Sequence, residues 1–349
     1  MTVTPELSAK MRNMSFVCAL MVVAIHCNVS TNPSHDAFWL GQLTSYTLCR
    51  AAVPFFFAAS GFFLQFKFSQ EGWWRREVGK RVSTLLLPFL AVSAAYLLWT
   101  VPIDALKDLR HGDVLRHNPL FDGRLLSIFG LDLTEPPLCV PLWYVRNLFL
   151  LAVLSPALLW LLEKSRGAAI VLSFAACYAV SPILAGETAL ADVGLAYRFF
   201  RYGFSLEGAT YFMVGMWLGR HGPVRVSRTA ALLCAAAGLA MSVYRAELVR
   251  RGCSPHVHWA VLAVPPYLIA MFRFMPTRPL PGILASNTFA IYMLHMFPCF
   301  LFTRCVSKVA KHWHTMVLEL LFVIAASLCL AELIRRKSPR LARVVFGGR

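Results

Sequence analysis

Charge is scarce in this sequence. Only 15% of its 349 residues are Asp, Glu, Lys or Arg, against 58% hydrophobic residues and a mean hydropathy of +0.60. Ordinary soluble domains carry about a quarter of their residues as charges, so that class is excluded and an integral membrane protein is indicated. Metal spacing is missing as well: the ten cysteines include no CxxC pair, and Cys18, Cys177, Cys234, Cys299 and Cys329 lie inside apolar segments. Neither a zinc site nor a disulfide framework is expected, and no metal cofactor. Internal repeats, low-complexity tracts and a soluble domain are also absent. The opening "MTVTPELSAKMRNMS" lacks the small-residue cleavage site of a secretory signal, so the first apolar run is expected to stay as an anchor.

What charge there is has one dominant sign, a formal net of +17. The arginines and lysines sit in short blocks between apolar segments, with no basic domain able to follow a phosphate backbone. Nucleic acid is therefore not the expected partner. Membrane topology and anionic lipid headgroups account for these blocks.

The apolar windows predict an all-α, polytopic bundle of about ten transmembrane helices, forming one domain over residues 1–349. They fall near 13 to 31, 48 to 66, 82 to 101, 142 to 162, 168 to 184, 203 to 219, 229 to 244, 258 to 275, 284 to 303 and 315 to 334. Positive charge concentrates in the first hairpin connection (Lys67, Arg75, Arg76, Lys80, Arg81) and in the tail from Arg335 onward, which predicts both termini in the cytoplasm. A long loop, about 102 to 141, is then expected outside.

Ionisable groups within a bilayer are costly and mark candidate sites. In "ALMVVAIHCNVS" His26 closes the first apolar run, and Ser15, Ala19, Val22, His26 and Ser30 form a small or polar stripe at helical spacing. The alternative is a histidine that only bonds a neighbouring helix. Arg50 opens "RAAVPFFFAASGFF" and can equally be a snorkelling interfacial arginine. Trp143, Arg146 and Asn147 share a face of the fourth span. Glu207 begins the sixth, where Arg198 or Arg201 offers an ion pair. Asn287, Tyr292 and His295 lie along "SNTFAIYMLH". Five spans thus bring polar residues to the outer half of the membrane, which predicts one shared cavity.

In these stretches the chain resembles acyltransferase family 3, membrane enzymes that acylate sugars of cell-surface polysaccharides and related acceptors. The resemblance is carried by "NMSFVCALMVVAIHCN", "RAAVPFFFAASGFFL", "KRVSTLLLPFLAVSAAYLLW", "PLWYVRNLFLLAVLSP" and "SNTFAIYMLH", in that order over nearly the whole chain. It implies a ten-helix bundle that takes an acyl group from cytoplasmic acyl-CoA, expected to be acetyl-CoA. The acceptor it implies is a saccharide or lipid-linked saccharide on the far side of a bacterial inner membrane. His26 corresponds to the essential first-helix histidine and Arg50 to the arginine before the Val-Pro-Phe-Phe run. One departure is Ser15, which stands where many members have arginine; Arg12 is the nearest.

These residue types suit the chemistry. A hydroxyl attacking a thioester needs a base that works near neutrality, which histidine supplies. The oxyanion needs donors or positive charge, available from Arg50, Arg146, Trp143 or Tyr292. Glu207 and His295 complete the expected substrate-binding set. For the CoA phosphates the best cluster is "WWRREVGKR", with Arg76 and Arg81, unless it is a lipid anchor; Arg220, Arg273 and Arg278 come next. "HNPLFD" (His117 to Asp122) matches an HxxxxD acyltransferase signature but falls in the outer loop. The pairs His256/His258 and His312/His314 lack acidic partners for a metal. The competing readings are a transporter or flippase of similar architecture, and a lipid acyltransferase working at the cytoplasmic face.

Overall fold

The computed structural model describes residues 3–27, 34–111, 129–184, 199, 203–253, 258–306 and 312–348, and among them every regular element is a helix. Helix α1, Pro5–His26, begins on Thr4, whose hydroxyl accepts the Leu7 N–H at 3.2 Å, with proline in the first turn where its missing donor is not needed. There follow α2 (Phe38–Leu43), a 3₁₀ turn (Leu48–Ala51), α3 (Ala52–Gln65), α4 (Trp73–Arg81) and, after a wide π turn at Val82–Leu86, α5 (Leu87–His111). Next come α6 (Trp143–Lys164), α7 (Ala168–Leu184), α8 (Leu206–His221), α9 (Arg228–Arg250) and α10 (His258–Phe274). The chain continues through α11 (Gly282–Leu294), α12 (Met296–Val306), α13 (Trp313–Lys337) and α14 (Pro339–Phe346).

Six stretches are long and apolar enough to cross a bilayer: Pro5–His26, Phe38–Gln65, Trp73–Pro102, Val140–Lys164, Arg228–Arg250 and Trp313–Lys337. A seventh is the pair α11 and α12, whose axes meet at 60°. The sequence predicts an unbroken span from 284 to 303, but the helix bends at His295. Pro298 explains the break, because it has no N–H to give the carbonyl of Leu294. The apolar helices Ala168–Val180 and Leu262–Phe274 are shorter, and α8 has 16 residues.

The most extensive helix pair is α3 with α8. Glycines set its closeness. A Cβ at Gly61 would lie 2.1 Å from the Phe212 carbonyl oxygen, and one at Gly215 would lie 1.8 Å from that of Ala58. Without a hydrophobic effect to drive helices together in lipid, such small-residue contacts supply van der Waals attraction between backbones. Packing of α1 against α3, α11 and α13 makes it the central strut. The buried Asn13 fixes one end of that strut, donating to the carbonyls of Pro276 (2.9 Å) and Arg278 (2.7 Å) and accepting the Leu280 N–H (3.1 Å).

These contacts sort the helix ends. One end of the bundle collects the finish of α1, the starts of α3, α6 and α8, the finish of α9 and the bend at His295. The other collects Lys10, Arg273, Asn13 and the Asn287 contact with Arg335, so the first and last long helices have their outer ends together. The small helix α14 closes that face, with Phe346 buried and Arg335 over its ring at 5.2 Å.

Candidate active site

His26 is the last residue of α1, where the helix leaves carbonyls without intrahelical donors. Its own carbonyl accepts the thiol of Cys299 on α12 at 3.1 Å. The His26 ring faces that of His295, with centroids 5.3 Å apart and planes at 39°. His295 is fully buried, and its Nδ1 lies 2.7 Å from the carbonyl oxygen of Tyr292.

Arg50, in the 3₁₀ turn just before α3, is exposed, and its charge acts on His26, on Glu207 and on Arg245. Glu207 sits in the first turn of α8, which Ser205 caps by accepting the Gly208 N–H at 2.9 Å. Arg245 comes from α9 and is steered by the Gln42 side-chain oxygen at 2.6 Å and by the Tyr46 ring at 5.4 Å. Thus the Arg50 charge reaches His26, Glu207 and Arg245, and the His26 ring lies beside that of His295.

The other predicted residues have different occupations. Arg146 is buried, and its Nη1 donates to the carbonyls of Gly130 (3.0 Å), Asp132 (3.2 Å) and Glu135 (3.4 Å), clamping that loop to α6. The Tyr292 hydroxyl donates to the Pro141 carbonyl, so its proton is already committed. Trp143 packs near Phe57 at 6.3 Å, while Asn147 accepts the Ser205 N–H at 2.7 Å and so ties α6 to the start of α8. Asn287 lies far along α11 from His295, with its oxygen taken by Arg335.

At the far end lies a cavity of about 660 Å³ between α1, α3, α8 and α10. Among the described residues, Lys10, Arg225 and Arg273 are the charged ones that line it, and all three are cationic. Met14, Phe62 and Phe272 line its apolar body, and its wall reaches Phe55 and Tyr211, a turn or so from Arg50 and Glu207. Arg76 and Arg81 do not line it. Arg76 is exposed on α4, and Arg81 is paired with Glu77 at 2.7 Å, a carboxylate shared with Lys67.

The sequence reading passes over two groups. Glu319 on α13 is fully buried, accepts from Thr303 (3.4 Å) and lies 3.6 Å from the Cys299 sulfur. The rule that selects His26, an ionisable side chain inside an apolar span, selects it equally in "TMVLELLFVIAAS". Asn13 is the other, carrying the structural bonds described above. Ser15 donates to the Met11 carbonyl at 2.7 Å, and Arg12 is exposed. His312 meets Asp36 at 3.1 Å and stacks on His314. Among the described residues no three His, Cys, Asp or Glu side chains form a metal-holding group. His117, Asp122, Arg198, Arg201, His256 and Ser30 lie outside the described residues, as does the side chain of His258.

A family model for an acyltransferase domain matches residues 12–336. No curated protein and no solved structure matches the chain.

Proposed function

The chain belongs to acyltransferase family 3, a family of membrane acyltransferases, and from that premise we propose that it moves an acetyl group from cytoplasmic acyl-CoA to a hydroxyl of a cell-surface glycan or lipid-linked sugar. The observation that carries this reading is the meeting of His26 and Arg50 at one end of the bundle, while an apolar cavity with a cationic mouth opens toward the other.

In the proposed reaction the acceptor oxygen attacks the thioester carbonyl carbon and gives its proton to His26. The C–O bond forms, and the carbonyl electrons become an oxyanion that Arg50 stabilises, with Arg245 adding positive charge nearby. The oxyanion then collapses, the C–S bond breaks, and His26 returns its proton to the departing sulfur. Glu207 balances the two guanidinium groups and orients Arg50. Lys10, Arg225 and Arg273 receive the donor phosphates, since three cations with no acidic residue beside them in the cavity wall, among the described residues, suit an anion. Arg76 and Arg81 are left to the lipid surface.

The same reading gives ten crossings, counting α1, α3, α5 to α10, the bent α11/α12 pair and α13. Both termini then face the cytoplasm, in a bacterial inner membrane, and residues 1–349 form one enzymatic domain. Support comes from the shared location of the outer ends of α1 and α13 and from the basic residues Arg335 and Arg336 there.

The test is thiol release from acetyl-CoA by the purified protein in nanodiscs, and incorporation of labelled acetyl into inner-membrane vesicles. Wild type should support both, and His26→Ala, still inserted and monodisperse, should lose both. A wild-type protein that binds acetyl-CoA without turning it over would favour a transporter.

A further inference from the structure

His295 has one nitrogen spoken for and one not. Nδ1 lies 2.7 Å from the Tyr292 carbonyl oxygen, which can only accept, so in the neutral ring the proton sits on Nδ1 and the lone pair on Nε2. Nε2 is buried and has no hydrogen-bond partner among the described residues. A buried acceptor without a donor is disfavoured and calls for an explanation. The ring it faces is that of His26, 5.3 Å away between centroids. His295 is held there by the end of α11, its N–H still donating to the Ile291 carbonyl at 3.0 Å, and the chain bends away after it.

Resting on the reading of His26 as the base, we propose that His295 is its positioning residue. Its Nε2 lone pair accepts a hydrogen bond from the N–H of His26 once the His26 side chain turns toward it. That bond leaves the other His26 nitrogen with its lone pair facing the acceptor hydroxyl. During attack the hydroxyl proton passes to that nitrogen, His26 becomes imidazolium, and the hydrogen bond to His295 holds the new positive charge. When the C–S bond breaks, the same proton leaves with sulfur. His295 gains and loses nothing; it fixes a tautomer and an orientation. A neutral imidazole thus does in an apolar environment what a carboxylate does for the histidine of a hydrolytic triad, without placing a full negative charge in the bilayer. Around the pair the other titratable or charged groups among the described residues are Arg50, Tyr292, Cys27, Cys49, Cys299 and Glu319.

Two substitutions separate the roles of the two nitrogens. His295→Asn keeps a donor near the Nδ1 position and lacks an acceptor at Nε2, whereas His295→Gln places an amide oxygen where Nε2 was. With acetyl-CoA as the probe and thiol release as the readout, the Asn variant should lose kcat on the order of 100-fold, with acetyl-CoA KM unchanged. The acid limb of its kcat profile should move to lower pH, since imidazolium has lost its acceptor. The Gln variant should retain most of the rate and the wild-type limb. Equal activity of the Asn and Gln variants, or an acid limb that stays in place in the Asn variant, overturns the proposal. His26→Ala runs in parallel: if it still turns over, the base assignment itself fails, and if it is inactive while the two His295 variants behave alike, only the positioning role fails. Should either variant not fold, ¹⁵N-histidine spectra of the wild-type protein decide, because a His295 protonated at Nε2 contradicts the required tautomer.

Discussion

Gly215 of α8 lies against the backbone of Ala58 in α3, and a Cβ added there would stand 1.8 Å from the Ala58 carbonyl oxygen and 2.7 Å from its carbon. Main chain cannot step aside as a flexible side chain can. Gly215→Ala should therefore force the two helices apart, at a cost of about 1–3 kcal/mol and with weaker positioning of Glu207. Gly79, with nothing within 4 Å of its would-be Cβ, supplies the control. There alanine should leave stability equal or raise it by up to about 1 kcal/mol, since the position is helical. Thermal melts in detergent compare the two; equal losses would count against the close-packing account.

Arg50 and Arg146 should separate cleanly by phenotype. Arg50→Ala is expected to lower kcat by about 10²- to 10³-fold with little change in melting temperature, as for the loss of one oxyanion donor. Arg50→Lys should recover only part of it, because an ammonium lacks the planar fork. Arg146→Ala leaves three loop carbonyls without their donor, so it should act first on stability. Kinetics and melts on the same preparations read both effects.

For the donor phosphates, Lys10→Ala and Arg273→Ala should each raise acetyl-CoA KM about 10- to 100-fold, as expected when a charged hydrogen bond worth about 1.5–3 kcal/mol is removed. Arg76→Ala and Arg81→Ala should leave it near wild type. An unchanged KM in the first pair with a raised KM in the second would return the phosphate site to the α4 region.

Asp36 links the start of α2 to the start of α13, through His312 at 3.1 Å and the Trp313 N–H at 3.1 Å. Desolvation pushes its carboxyl up, but the His312 hydrogen bond and charge, with the N–H groups of Trp313 and Ala37, outweigh that and hold it below the ordinary value of 3.8. A depressed carboxylate stabilises the fold above its unfolded pKa and loses that contribution as pH falls through the folded value. The stabilisation should thus persist at neutral pH and fade below about pH 4. Asp36→Asn should remove this acid-dependent component from a series of melts against pH, and an identical pH response in both proteins rejects the link.

The candidate site residues stand out in the chain itself because charge inside an apolar run is rare. His26, Arg50, Glu207 and His295 each stand out locally, and the bundle brings them together because alternate helix ends share a face. What could not be read depends on partners distant in sequence. Nothing in "PLWYVRN" says that Arg146 spends its guanidinium on the carbonyls of 130, 132 and 135, nor that the Tyr292 proton goes to Pro141. The cationic mouth was legible only in part. Arg273 is among the phosphate candidates of the sequence, but Lys10 and Arg225 come from separate segments and no local cluster announces them, whereas the conspicuous "WWRREVGKR" does not line this cavity. The break at His295 was signalled by Pro298, but apolar continuity from 284 to 303 masks it, since hydropathy does not register a missing N–H.

The separation between the cationic mouth of the cavity and the His26 end has an electrical consequence. In the proposed cycle the phosphates of the donor stay on one side, an acyl group passes outward, and the proton it replaces leaves inward on the thiol. Each turnover is then an electroneutral exchange. Moving one net charge through the membrane field is worth about 2.3 kcal/mol per 100 mV, so a cycle that moves none should proceed equally well in energised and de-energised cells. Acetyl incorporation in vesicles clamped at opposite potassium diffusion potentials should be the same, and the work of modifying the outside of the cell is drawn wholly from the thioester bond rather than from the gradient across which it is carried.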